Sequence, residues 1–102
     1  MSRRNRFVIV SPAAESDLAD ILLYTQQQWG PQIKIRYEEA LIDAIADLAL
    51  FPETGITCSH YFQDCRVRRV EQHLIYYKVG NDAVEVVRIL HRRQDAARHL
   101  RQ

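Results

Sequence analysis

From His73 to His91 the chain reads HLIYYKVGNDAVEVVRILH. Two runs in it, His73–Val79 and Val84–His91, are rich in Ile, Val and Tyr, the residues that pack well on a pleated surface. Between them Gly80-Asn81-Asp82 forms a turn able to supply positive φ. A third run, Arg66–Val70, lies just upstream. Short β runs joined by turn chemistry predict an antiparallel meander. Alternate residues of a strand share a face, so Arg66 and Arg68 are expected to point together and Arg69 to the opposite side. By the same rule Tyr76 and Tyr77 face opposite sides, and one of them is expected at the surface.

Upstream of the meander the period changes. Arg6–Val10 reads as a first strand. Ser11-Pro12 then opens a helix, serine as N-cap and proline at the first helical position, where its missing N–H is no loss. Glu15 stands one place past the capping-box position, so the cap stands without the box. Ala14, Leu18, Ile21, Leu22, Thr25 and Trp29 recur at helical spacing and predict a mostly apolar, core-facing stripe. Gly30-Pro31 ends this helix and starts another. The second helix is expected from about Gln32 to Phe51. Its stripe is Ile33, Tyr37, Ala40, Leu41, Ala44, Ile45 and Leu48, and Pro52 stops it. Two helices joined by a tight turn predict an antiparallel hairpin.

Glu53–Asp64 has no clear period and reads as a loop, with a possible short strand near His60–Phe62. Beyond the meander, Asp95 is placed to cap a short helix ending near Leu100. The order β-αα-βββ predicts one α+β domain over residues 1–102, with a helical hairpin packed on one face of a small antiparallel sheet and a short C-terminal helix.

Composition narrows the function. The 102 residues are 47% hydrophobic and 26% charged, a globular balance. No apolar run is long enough to span a membrane. The basic N-terminus is followed by an apolar run, Phe7–Val10, too short for a signal peptide, so a cytoplasmic location is expected. In a reducing compartment Cys58 and Cys65 are expected as free thiols. The net charge of +1 hides a segregation: Pro12–Glu53 carries −6, Met1–Ser11 +3, and Thr54 to the end +4. Lys34 and Lys78 are the only lysines, and arginine is the base favoured at binding surfaces.

Four groups of residues carry possible chemistry. Arg66, Arg68 and Arg88 on strands, with Arg92, Arg93 and Arg98 near the C-terminus, form a candidate basic surface for phosphates or acidic side chains. The same charges would also serve as a solvated sheet edge that resists aggregation. His91, with Arg66 and Arg88, has the residue types of a small nuclease: a general acid–base and two cations for a phosphorane-like transition state. Equally, His91 suits a structural hydrogen bond at a strand end. Cys58, His60 and Cys65 are metal-capable, but their spacing matches no zinc motif, so no metal and no cofactor is expected. Neither a Gly-rich phosphate loop nor a nucleophile elbow occurs. The acidic, partly apolar outer face of the helical hairpin, with Leu23, Asp43 and Asp47, and with Tyr76 on the sheet, is a second candidate surface. It suits a partner segment bearing Arg and Leu.

The sequence resembles the ParE branch of the ParE/RelE toxin superfamily over nearly its whole length. The elements that match are Ser11-Pro12-Ala13-Ala14, Asp17-Leu18, Asp20-Ile21, Tyr24-Thr25, Trp29-Gly30, the region of Tyr37, Leu48 to Pro52 and Gly55. Further matches are Arg66, His73-Leu74-Ile75-Tyr76-Tyr77, Val87-Arg88-Ile89-Leu90-His91-Arg92-Arg93, Asp95 and Arg98-His99-Leu100. Ile56 stands where the family often has arginine, and Gln94 where it often has methionine. The resemblance implies the fold above and a toxin–antitoxin role. Its antitoxin partner, ParD-like or of another type, would fold on binding and meet operator DNA through its own domain, so that the toxin contacts DNA only indirectly. Leu23, Asp43, Asp47 and Tyr76 are then the candidate antitoxin contacts. ParE-like toxins imply inhibition of DNA gyrase, with Arg66, Arg68, Arg88, His91, Arg92, Arg93 and Arg98 as target contacts. RelE-like relatives imply the alternative, ribosome-dependent mRNA cleavage with Arg66, Arg88 and His91 catalytic. The tail has no Tyr or Lys of the kind common in RNA-cleaving relatives, which favours the inhibitor.

Overall fold

The computed structural model describes residues 6–101. Strand β1 (Phe7–Val10) leads into helices α1 (Pro12–Trp29) and α2 (Pro31–Leu50). A single 3-10 turn at Pro52–Thr54 follows, then strands β2 (Ile56–Thr57), β3 (Cys65–Val70), β4 (His73–Val79) and β5 (Ala83–His91), and helix α3 (Ala96–Leu100). The Ser11 hydroxyl accepts from the Ala14 N–H at 3.0 Å and donates to the Val87 carbonyl at 2.7 Å, so the cap also ties α1 to β5. Gly30 holds φ at +88° between the helices, a conformation that L side chains rarely adopt.

The sheet order is β1-β5-β4-β3-β2. The β3–β4 and β4–β5 ladders are antiparallel as expected, and β2 adds a further antiparallel ladder on β3. The sheet is mixed rather than wholly antiparallel, because β1 pairs parallel with β5 at the edge. The chain passes from β1 to β5 through the helical hairpin and strands β2 to β4, a connection longer than a parallel pair requires. The strand expected near His60–Phe62 lies instead at Ile56–Thr57, where Ile56 and Thr57 pair with Val67 and Arg66, and residues 60–62 form turns. Positive φ falls at Gly30, Asp64 and Glu71, and the Gly80–Asp82 turn closes without it.

Ala14, Leu41, Ala44, Ile45 and Leu48 of the hairpin pack on Ile75, Tyr77, Val84, Val86 and Ile89 of the sheet. Each large aliphatic side chain buried there contributes about 2 kcal/mol. A β-bulge between Tyr76 and Tyr77 in the β4–β5 register lets Val86 and Ile89, three residues apart, both face this core. The fully buried Tyr77 hydroxyl donates to Pro52 O at 2.7 Å and accepts from Gly55 N at 2.9 Å. A Cβ at Gly55 would clash with that hydroxyl and with Val67 O at 2.7 Å, so only glycine fits.

The opposite sheet face has a smaller core of Cys58, Cys65, Tyr76, Leu90 and Leu100, flanked by Tyr61 and Phe62. Two expectations fail here. Tyr76 is only 4% exposed, because Tyr61 stacks edge-on to it at 5.9 Å and Leu100 of α3 packs into the same cluster. Cys58 and Cys65 are joined in a disulfide and are not free thiols. The β2–β3 register sets them opposite each other, with Cys58 N donating to Cys65 O at 2.8 Å.

Candidate functional site: the arginines, the C-terminal segment and the hairpin groove

Most of the strand arginines are engaged within the molecule. Arg88 holds Asp17 of α1 through two parallel bonds, Nε to Oδ2 at 2.8 Å and Nη2 to Oδ1 at 2.9 Å. Asp17 Oδ2 also accepts from Ile89 N at 3.0 Å. The hydrogen bond to Asp17 raises the Arg88 pKa above its usual value, outweighing the opposing effect of burial. Arg68 reaches Asp47 of α2 at 3.1 Å. Arg66 donates to Gly55 O at 2.8 Å and more weakly to Glu53 O. Arg66 and Arg68 therefore turn together toward the helical hairpin and its exit, and Arg69 bonds the exposed Glu71 carbonyl. The separation of charge along the sequence is thus largely met inside the fold. Acids on the helices clamp bases on the sheet.

Arg66, Arg88 and His91 do not converge. Arg66 pairs with Tyr77 and His91 with His73, four residues apart along β4 and on the strands to either side of it. At standard strand geometry this separates their Cα atoms by on the order of 16 Å.

The C-terminal segment differs. Arg92 bonds Gln72 through both its backbone and its guanidinium. Asp95 caps α3 by accepting from Ala97 N, and the buried Leu100 seats the helix. Among the described residues, the exposed Arg93 and Arg98 guanidinium groups have no hydrogen bond or ion pair. The Arg93 N–H donates to His91 Nδ1 at 3.1 Å, so the neutral His91 ring carries its proton on Nε2.

His91 also lines a groove of about 370 Å³ that the sequence did not reveal, with Ile21, Tyr24, Thr25, Trp29, Ile33, Tyr37, Gln72 and His73. Trp29, expected in the core, is 70% exposed. It is the last residue of α1 and walls the groove mouth. The Tyr37 hydroxyl accepts from Gln72 N at 3.2 Å and lies 2.5 Å from His73 Nδ1. This pattern assigns the Tyr37 proton to that bond and the His73 proton to Nε2. Burial raises the Tyr37 pKa, so the hydroxyl stays a donor. Burial, with repulsion from His91 5.2 Å away, lowers the His73 pKa to about 4.

On the hairpin, Leu23 and Asp43 are exposed, Asp47 is held by Arg68, and Tyr76 lies buried on the far face of the sheet. The sulfurs of Cys58 and Cys65 bond each other, so no donor set assembles with His60. Among the described residues no group of three or more His, Cys, Asp or Glu could hold a metal ion, and no helix is long and apolar enough to cross a membrane.

The family described as "ParE toxin of type II toxin-antitoxin system, parDE" matches residues 8–96. The chain is 33% identical over 93 residues to Toxin ParE1 of Mycobacterium tuberculosis H37Rv, covering 90% of this chain and 95% of that protein. It is 32% identical over 91 residues to Toxin ParE1 of Caulobacter vibrioides (89% and 94% covered). To Toxin ParE of Escherichia coli it is 36% identical over 89 residues, with 85% of each covered. Its fold matches a chain of the chromosomal ParDE toxin–antitoxin system of P. aeruginosa, with a TM-score of 0.74 at 15% identity over 85% of this chain and 96% of that one. It also matches a chain of the RelBE2 toxin–antitoxin complex of M. tuberculosis, with a TM-score of 0.66 at 18% identity over 91% and 98%. The profile match, the identities over almost the whole chain and the shared fold agree: the chain belongs to the ParE toxin family of type II toxin–antitoxin systems.

Proposed function

We propose that this toxin acts in the cytoplasm by binding DNA gyrase through its C-terminal basic segment, and that an antitoxin segment folding onto the helical hairpin silences it. One observation carries the target assignment. Arg66, Arg68 and Arg88 are engaged by the fold, whereas Arg93 and Arg98 are exposed on an ordered segment with no partner among the described residues. Arginines free of internal partners suit acidic or phosphate groups on a macromolecule. The separation of Arg66 from His91 weighs against a nuclease centre built from the strand arginines. For the antitoxin, the exposed Leu23 and Asp43 and the apolar groove beside Trp29 suit a helix bearing leucine and arginine.

A paired assay tests the reading with purified toxin. One arm follows gyrase supercoiling of plasmid, the other mRNA cleavage on translating ribosomes. Lost supercoiling with intact mRNA supports the binding inhibitor. Cleaved mRNA with normal supercoiling overturns it and makes the alternative, an endoribonuclease, the function.

A further inference from the structure

We propose that Cys58 and Cys65 form a thiol–disulfide switch that sets the order of the second face of the sheet and, through α3, the presentation of the C-terminal arginines. The backbone carries the argument. The β2–β3 pairing runs Ile56↔Val67, Thr57↔Arg66, and the bond from Cys58 N to Cys65 O continues it. The register therefore sets the two cysteines opposite each other, with Cα atoms 5.0 Å apart, within the range a disulfide spans. The fold prepares the pair for oxidation, whichever redox state the chain starts in.

The pair sits at a junction. Between the cysteines, loop 59–64 is held among the described residues by two backbone turn bonds, Tyr61 N to Cys58 O and Cys65 N to Phe62 O. Tyr61 and Phe62 of this loop flank the cluster that holds Cys58, Cys65, Tyr76, Leu90 and Leu100. Leu100 is the buried residue of the five-residue α3, too short a helix to persist without its seat. A bond between the cysteines removes conformational freedom from the open loop and holds Tyr61 and Phe62 over the cluster. Breaking it lets the loop open and loosens the seat of Leu100, and with it Arg98.

Exchange needs only a low-molecular-weight disulfide. One cysteine thiolate attacks a sulfur of RSSR and releases one RS⁻. The second thiolate then attacks the mixed disulfide, forms the Sγ–Sγ bond and releases the second RS⁻. The two protons lost by the cysteines end on the released thiols, and excess thiol reverses both steps. Both cysteines are buried residues, so exchange proceeds when the loop opens.

The test equilibrates the full chain in glutathione buffers of stepped ratio, counts thiols by alkylation and mass, and measures amide hydrogen exchange. The expected result is a single transition from two thiols to none. At least fivefold slower exchange is expected in the oxidised form at Tyr61, Cys65 and Arg101, whose N–H groups bond within the loop and α3, with α1 and α2 unchanged. A Cys58→Ala/Cys65→Ala variant should show no redox response. Two thiols at every ratio, or equal exchange in both states, would overturn the switch. A change confined to residues 58–65 would overturn its coupling to α3. The last step, weaker gyrase inhibition by the reduced form, rests on the target assignment above. If the exchange shift appears and the oxidised toxin leaves gyrase untouched, the target assignment fails and the switch stands.

Discussion

At the scale of single residues, Arg88 is a clamp. Its side chain is 23% exposed and that of Asp17 15%, so solvent screens the pair only partly. Arg88→Ala leaves Asp17 with one backbone donor in a site built for three. Lost charged hydrogen bonds of this kind cost about 2 kcal/mol. Urea denaturation should show that loss, and a cycle with Asp17→Asn should show coupling. An unchanged midpoint would return Arg88 to the free basic surface. His73 gives a pH signature. Its folded pKa of about 4 lies below the unfolded 6.5, so the folded state binds the proton more weakly. The neutral ring therefore costs no stability above pH 6.5. As pH falls from about 6.5 to about 4, the unfolded chain takes up the proton first and stability declines. His73→Asn keeps an acceptor for Tyr37 and lacks the titration. Its stability should slope less between pH 7 and pH 5 than that of the parent protein, and parallel slopes would contradict the assignment.

Among the elements, the hairpin was legible because its punctuation is local. Ser11-Pro12, Gly30-Pro31 and Pro52 each act on their own backbone, and α1 and α2 begin and end at them. The three meander strands were legible for the same reason. What was hidden depends on partners distant in sequence. The parallel docking of β1 on β5 has no local signal. Tyr76 looked half exposed because its cover comes from Tyr61, in a segment without periodicity, and from Leu100. Trp29 kept the spacing of the buried stripe but lies at the exposed end of the helix. The cysteines looked independent until the β2–β3 register set them opposite each other. The hairpin surface carries its own prediction. Asp43 is exposed and is not part of a clamp, whereas reversing Asp47 would also break its bridge to Arg68. Asp43→Lys should weaken antitoxin binding about fivefold, roughly 1 kcal/mol, at unchanged toxin stability. Equal affinity by calorimetry would move the antitoxin off this face.

Across the whole molecule, the near-neutral net charge conceals acids on the helices and bases on the sheet and termini. The sequence made this segregation visible but not its use. Read alone, it suggested one continuous basic face, and the fold spends much of it on joining the hairpin to the sheet through Asp17–Arg88 and Asp47–Arg68. Arg93 and Arg98, exposed and without a partner among the described residues, lie at the C-terminal end beside the small core that includes Leu100 of α3. The division of labour among the arginines therefore separates binding from stability. The most direct measurement compares gyrase inhibition and thermal unfolding for an Arg93→Glu/Arg98→Glu variant and for Arg88→Ala. On this division of labour the double variant keeps its melting temperature and loses inhibition by at least tenfold, while Arg88→Ala melts earlier and its remaining folded fraction still inhibits. Full inhibition by the double variant, or loss of inhibition by folded Arg88→Ala, would contradict it.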